Sequence, residues 1–393
     1  MPKRILFIES TANGVLGGSV LSLYDLVRGL DRRKYEPYVV LYSDLPIRKE
    51  LEKVSTVFLL DRGDRLLRDN GQSPLSRLKA FISVVASVCF DILPRTFLLW
   101  RIIRRKHIDI VHTNNMLSLS LEGILAAKVA GIACIVHQRG FLEVYRLPRL
   151  LSGYVDALIC NSDAVKESCE REGLPIKQVV RVYNGIDLSQ AQPNVPVNQM
   201  RHALGFHNAS PVVGIVGTVQ RWKGQREVIL AVDKLRELFP DIHCLIAGGV
   251  YDPIYGAEIK ELTETLGLER NVHFLGHRKD IVDLMNAMDI IIHASIDPEP
   301  FGKVLIEAMA LGKPLIATRA GGPLEIVEDH VTGLLVPPGD VDAMAKAVSL
   351  LLRNRALAAK MGQAGRQRVE KLFELRKTVQ SIERIYDTVQ LAN

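Results

Sequence analysis

Short apolar runs rich in β-branched residues alternate with longer amphipathic stretches along the whole chain. In the first half the runs are Ile5–Ile8, Val39–Tyr42, Ile110–His112, Cys134–His137 and Ala157–Cys160; in the second they are Val212–Val216, His243–Ala247, Val272–Leu275, Ile290–His293 and Leu315–Ala317. Their alternation with helical stretches such as Glu227–Leu238 and Asp280–Met288 predicts parallel sheets flanked by helices. Both halves open alike: a strand, a glycine-bearing loop (Gly14, Gly17 and Gly18; Gly214, Gly217 and Gly224), then an amphipathic helix. The expected fold class is therefore α/β, with two Rossmann-like domains facing a central cleft. Residues 189–198 are polar, Pro-bearing and aperiodic, which marks a linker. The predicted organisation is a first domain over 1–188, the linker, a second domain over 199–371, and a C-terminal helix at 372–393 that packs across the domains. A length of 393 residues is too great for one compact core and fits two.

The segment from Leu75 to Lys106 departs from this pattern. Asp91, Pro94 and Arg95 divide it into an apolar run, Ala80 to Phe90, and a basic amphipathic helix ending in Arg101, Arg104, Arg105 and Lys106. It is too interrupted to span a bilayer. Two readings fit the pattern: a surface resting on an anionic membrane, with Phe97 and Trp100 at headgroup level, or two core helices with solvated basic ends.

With 48% apolar and 24% charged residues the composition is that of a soluble globular protein rather than a disordered one. A net charge of +6 favours an anionic partner, for which a sugar nucleotide, a phospholipid surface and nucleic acid all qualify. Nucleic acid is not expected, because the basic residues lack stacking aromatics on one sheet face. Five cysteines without a CxxC pair indicate neither a disulfide framework nor a cysteine-rich zinc site, so a reducing compartment is expected. The apolar run before Glu9 is too short for a signal-peptide core, which places the protein in the cytoplasm, at most peripheral on the inner face of the membrane.

The chemistry concentrates in Glu299-Pro-Phe-Gly-Lys-Val-Leu-Ile-Glu307, where one carboxylate lies in a Pro-rich loop and the other inside an apolar helix. Pro298 and Pro300 discourage helix before Phe301, and Gly312 with Pro314 stops it. Glu299 then sits just ahead of a helix N-terminus, where backbone N–H groups of about Phe301, Gly302, Lys303 and Val304 suit an anion such as a diphosphate. A helix glutamate among apolar neighbours needs donors, and two ribose hydroxyls would serve Glu307. The plainer alternative is a solvated loop glutamate and a helix glutamate bound to neighbouring backbone. In the loop Val216-Gly-Thr-Val-Gln-Arg-Trp-Lys-Gly224, Arg221 and Lys223 follow a strand and precede a helix, a position from which two cations would hold a diphosphate and neutralise it as it leaves. No G-x-G-x-x-G follows either first strand and no Walker sequence occurs. Asp340-Val-Asp342 reads as a helix N-cap, and without a histidine cluster no catalytic metal is expected.

Taken in order, Gly17-Gly18 before a helix, His137 after a strand, Asn184-Gly-Ile-Asp187, the Lys223-Gly224 loop, the E-x7-E motif of Glu299 and Glu307, Gly321-Gly322-Pro and Thr332-Gly-Leu-Leu-Val-Pro resemble the retaining glycosyltransferases of group 1, also called family 4, which have the GT-B fold. The likeness runs over nearly the whole chain. It implies a nucleotide-diphosphate sugar as donor and no required cofactor. It also implies that Gly17 and Gly18 bring backbone N–H groups to the donor diphosphate, that Lys223 binds it with Arg221 assisting, that Glu299 holds donor-sugar hydroxyls and Glu307 the ribose, and that His137 lies near the sugar's C6 hydroxyl. The loop bearing Arg278, Lys279 and Asp280 would cradle the base, with Asp280 also a candidate cap. One departure stands out: Thr218 replaces an arginine that many members carry, and Arg221 would take its place.

Because both glutamates are assigned to ligand hydroxyls, no carboxylate remains as an obvious nucleophile. The expected reaction therefore retains configuration through a short-lived ion pair, unlike a glycosidase's carboxylate pair. The expected acceptor is a glycan, preferably lipid-linked, as in assembly of a surface polysaccharide. The rival readings are a UDP-sugar 2-epimerase, which would need acid/base carboxylates from the first domain, and a non-catalytic membrane-associated assembly partner. His112 reads as a core histidine, and Arg139 as either an acceptor contact or a surface cation.

Overall fold

The computed structural model describes residues 1–11, 17–60, 88–142 and 146–389. Gly14 and the apolar run from Ala80 to Ser87 fall outside the described residues. Internal contacts divide the chain into two compact units, one formed by Met1–Tyr183 with the segment from Thr378 onward, the other by Asn184–Lys377.

The first unit holds a seven-stranded sheet: β1 (Lys3–Glu9), β2 (Tyr35–Leu41), β3 (Thr56–Leu59), β4 (Ile110–Thr113), β5 (Ala133–Gln138), β6 (Ala157–Cys160) and β7 (Val179–Arg181), in the order β3-β2-β1-β4-β5-β6-β7. Every pairing is parallel. The five expected strands are present and buried, since helices cover both faces of a parallel sheet. The two unexpected ones, β3 and β7, are short edge strands whose side chains are half-exposed or exposed.

The second unit repeats the plan with six strands: β8 (Val212–Val216), β9 (His243–Ala247), β10 (Val272–Gly276), β11 (Ile290–His293), β12 (Leu315–Thr318) and β13 (Leu334–Val336), in the order β10-β9-β8-β11-β12-β13. In each unit the chain runs outward from the first strand in one direction and then in the other. The switch points fall between β1 and β4 and between β8 and β11, the place where doubly wound sheets generally bind their ligands.

Residues 189–196 are irregular, yet they are packed: the backbone N–H groups of Asn194 and Val195 donate to Asp283 Oδ1 at 2.6 and 3.0 Å. Val195 lies against the cluster of Met200, Leu284 and Ala287. The last helix spans Leu375–Thr388, and its buried stripe is Val379, Ile382, Ile385 and Tyr386. Within the first unit, Tyr386 Oη lies 2.6 Å from His112 Nδ1, Lys3 Nζ donates to Tyr386 O at 2.7 Å, and Tyr35 Oη donates to Asp387 at 2.7 Å.

The helix Leu93–Lys106 has two faces. Thr96, Leu99 and Ile103 are buried, whereas Leu93, Phe97 and Leu98 are exposed, and the last turn carries Arg104, Arg105 and Lys106. Phe97 stacks on Trp100 at 5.8 Å between ring centroids, with the Arg101 guanidinium 5.8 Å from the Phe97 ring. Among the described residues no helix is long and apolar enough to cross a membrane.

Candidate active site

In the second unit two loops meet beside the switch point. The loop after β8 ends in a short turn, Arg221–Lys223, closed by Gly224 in the left-handed region at φ 74°. Its Cα lies under the next loop's backbone, since a Cβ there would stand 2.0 Å from Ala294 O. Only glycine fits both the dihedral and the approach. The Ile296 N–H donates to Trp222 O at 2.8 Å, so the lysine-bearing turn is fixed to the loop leaving β11. Lys223 Nζ thereby reaches Glu299 Oε2 at 2.5 Å, and it lies 3.9 Å from the Trp222 ring centroid.

Glu299 is fixed from its other side. The Gly322 N–H donates to Glu299 O at 2.8 Å, and Gly321, at φ 69°, comes so close that a Cβ would lie 2.3 Å from that carbonyl oxygen. The side chain is buried, and Oε2 collects three partners: Lys223, Ser295 Oγ at 3.1 Å and His293 Nε2 at 3.2 Å. Burial pushes this carboxyl up, but the His293 hydrogen bond and the Lys223 charge outweigh it and hold the group at about 2. Glu299 is thus an ionised, buried carboxylate held in place by Lys223, Ser295 and His293.

The helix Lys303–Ala310 starts directly after, with Gly302 at its N-cap in the left-handed region (φ 94°) and without a side-chain cap bond. The first N–H groups of a helix have no partner within it and carry a partial positive charge, so this end suits an anion. Phe301 and Gly302 are buried, Lys303 half-buried, and Glu307 lies half-buried on the same helix.

The remaining predicted donor contacts sit elsewhere in the unit. Arg221 is exposed and binds Glu258 through Nη2 at 2.6 and 2.9 Å, with its guanidinium 5.0 Å from the Tyr255 ring centroid. Its guanidinium is thus engaged by Glu258 rather than by Glu299. Arg278 closes on Asp280 at 2.6 and 2.8 Å. Asp280 stands at the N-cap of Ile281–Ala287 without a side-chain cap bond, because its carboxylate is turned to Arg278. The expectation that Asp280 caps this helix is therefore corrected.

The first unit places Gly17 at the N-cap of the helix Gly18–Gly29, and among the described residues nothing beyond Gly18's neighbours and its own helix backbone stands within 4 Å of where a Cβ on Gly18 would be. Across its switch point Glu9 accepts from Asn114 Nδ2 at 2.5 Å, and Asn114 Oδ1 accepts from Arg139 Nη2 at 2.7 Å. His137 is buried beside them, 3.4 Å from Arg139 Nη2, and stacks on His112 at 5.6 Å. Burial, then the Arg139 charge, depresses the His137 imidazole well below its usual value, so it is neutral. His112 is the core histidine expected of it: fully buried, bonded to Tyr386 and held at about 3 by burial.

Two contributors, His293 and Ser295, escaped the sequence reading because His293 reads as the last residue of an apolar strand. Their signal is positional: they leave the carboxyl end of β11, the strand beside the switch point. Glu9, the last residue of β1, and Asn114, directly after β4, hold the matching positions in the first unit. All five cysteines are free, and the thiols of Cys160 and Cys169 lie 3.9 Å apart. Among the described residues no group of three or more His, Cys, Asp or Glu is arranged to hold a metal ion.

The fold agrees with that of known proteins. Residues 16–190 match the family described as Glycosyltransferase Family 4, and residues 197–368 that described as Glycosyl transferases group 1. A GDP-mannose-dependent alpha-mannosyltransferase of Mycobacterium tuberculosis is 30% identical over 293 residues, 69% of this chain and 72% of that protein. A D-inositol 3-phosphate glycosyltransferase of Corynebacterium urealyticum is 36% identical over 209 residues; the match covers 50% of this chain and 48% of that relative, about half its length. The crystal structure of Anabaena HepE in complex with UDP and glucose superposes over 98% of this chain and 100% of that one, with a TM-score of 0.80 and 26% identity. The chain belongs to the group 1, or family 4, glycosyltransferases and has their GT-B fold of two Rossmann-like domains.

Proposed function

We propose that the protein transfers a sugar, with retention of configuration, from a nucleoside diphosphate sugar to a glycan acceptor. The observation that carries this reading is the Lys223–Glu299 pair at the switch point of the second unit, next to a helix start that has no side-chain cap. The N–H groups of about Phe301 to Val304 receive the diphosphate together with Lys223, Glu299 accepts from donor-sugar hydroxyls, and Glu307 accepts from the ribose. The bond from the anomeric carbon to the phosphate oxygen breaks, and its electron pair stays on the diphosphate, where Lys223 stabilises the charge. The acceptor oxygen attacks from the same face and passes its proton to the departing oxygen. No metal is required in this scheme. Gly17, Gly18 and His137 take part in donor binding as the family likeness implies, and Arg221 and Arg278 join after exchanging their present carboxylate partners for the ligand.

A UDP donor is favoured by the UDP held in HepE. A lipid-linked acceptor, met at an anionic membrane surface, is favoured by the exposed Leu93, Phe97 and Leu98 beside a basic helix end. The test is transfer from UDP- and GDP-sugars to lipid-linked and free glycans, with the product anomer read by NMR. Retained configuration, and loss of transfer in Glu299→Ala, are expected; an inverted product contradicts the mechanism. Sedimentation with phosphatidylglycerol vesicles is expected to be lost when Leu93 and Phe97 are both replaced by serine.

A further inference from the structure

Resting on the donor reading just given, we infer that His293 is the positioning residue of this site: its Nε2–H, with the Ser295 hydroxyl, keeps Glu299 in place when Lys223 turns from that carboxylate to the donor's diphosphate. Lys223 Nζ lies 2.5 Å from Glu299 Oε2, and one ammonium that moves toward a phosphate weakens its hold on the carboxylate. A buried carboxylate that loses its cation needs other donors or it turns away or takes a proton. The partners that remain are His293 at 3.2 Å and Ser295 at 3.1 Å, both on Oε2. With all three partners on Oε2, the other oxygen, Oε1, is left to accept from the sugar.

His293 is suited to this task by its own anchoring. It ends β11, pairs with Ala317 of β12, and is 4% exposed. Its Nδ1 has no hydrogen-bond partner among the described residues. The polar contacts of the ring are all made by Nε2, to Glu299 and, at 3.3 Å, to Ser295 Oγ, which selects the tautomer with hydrogen on Nε2. An apolar residue would fill the same space without burying an unpaired nitrogen. The cost of that nitrogen is offset by the hold on Glu299.

The test compares His293→Phe, His293→Asn and His293→Gln in the full-length protein. A glutamine amide reaches the place of Nε2, whereas an asparagine amide stops near Nδ1. The probes are UDP, GDP, UDP-glucose and GDP-mannose, measured by calorimetry, with kcat and KM for whichever sugar nucleotide the wild type uses. Binding of the bare nucleotide is expected to stay within about threefold of wild type in all three variants. The affinity for the sugar nucleotide is expected to fall roughly tenfold, about 1.4 kcal/mol, in the Phe and Asn variants, with kcat reduced as well, and to return in the Gln variant. Equal behaviour of the Asn and Gln variants, whether both intact or both impaired, overturns the inference, and this pair decides it even if the Phe variant does not fold. A wild type that binds none of the four probes is a different result and overturns the donor reading itself.

Discussion

Glu299 shows how the site is set by competition at one residue. Its burial opposes the charge, yet the His293 hydrogen bond and the Lys223 charge hold it ionised at about 2. For a carboxyl depressed in this way, the favourable ionised form is complete above the usual carboxylate range and is lost only as pH falls through about 2. In the protein without nucleotide the Glu299 carboxyl is therefore expected not to titrate between about pH 4 and 9, a range far above that group's value. A carboxyl-carbon NMR titration across that range checks this, and an inflection near 4.5 that disappears in Glu299→Gln contradicts it. Glu299, Glu307 and Lys223 were legible in the sequence because residue type and spacing together mark a loop, a helix start and a cation. The histidine that steadies Glu299 was not, since an apolar strand pattern says nothing about which end side chain turns toward a later loop. Arg221 was legible as a cation, but its carboxylate partner, Glu258, comes from the helix Pro253–Thr265, a long-range pairing that no local spacing encodes.

Of the thirteen strands among the described residues, ten were readable as apolar runs, while β3, β7 and β13, each at a sheet edge, were not, although β13 is largely buried. Caps divide similarly. Asp340 does cap its helix, accepting from the Ala343 N–H at 2.9 Å, whereas the equally placed Asp280 is drawn off by the Arg278 guanidinium two residues before it. Asp340→Ala is accordingly expected to destabilise the protein by about 1 kcal/mol, read as a lower urea midpoint with unchanged slope, and Asp280→Ala by clearly less. The reverse order would show that the cap assignment is wrong. The short span Leu375–Thr388 was readable as an amphipathic helix, but not the use of its Tyr386, whose hydroxyl meets a histidine 274 positions earlier.

At the scale of the whole molecule, each unit is a doubly wound sheet, and the chain returns at Thr378 to complete the first of them. That return brings Tyr386 onto His112, a buried imidazole held at about 3 by burial and the Arg139 charge. His273 in the second unit is shifted the same way, to about 4, by burial and His243. Between the ordinary histidine value near 6.5 and these lowered ones, the unfolded chain binds protons that the folded chain does not. Stability is thus full above about pH 6.5 and declines as pH falls toward 4. Melting temperature is expected to drop steadily from pH 7 to 5, and a flat profile there contradicts neutral burial of these rings. The central claim, that the second unit holds a nucleoside diphosphate through Lys223, is tested most directly by calorimetry of the full-length protein with UDP and GDP, wild type against Lys223→Ala. One site per chain for one of the two nucleotides is expected, with at least a tenfold loss, about 1.4 kcal/mol, in the variant; undiminished binding by Lys223→Ala would contradict a role of Lys223 in holding the diphosphate.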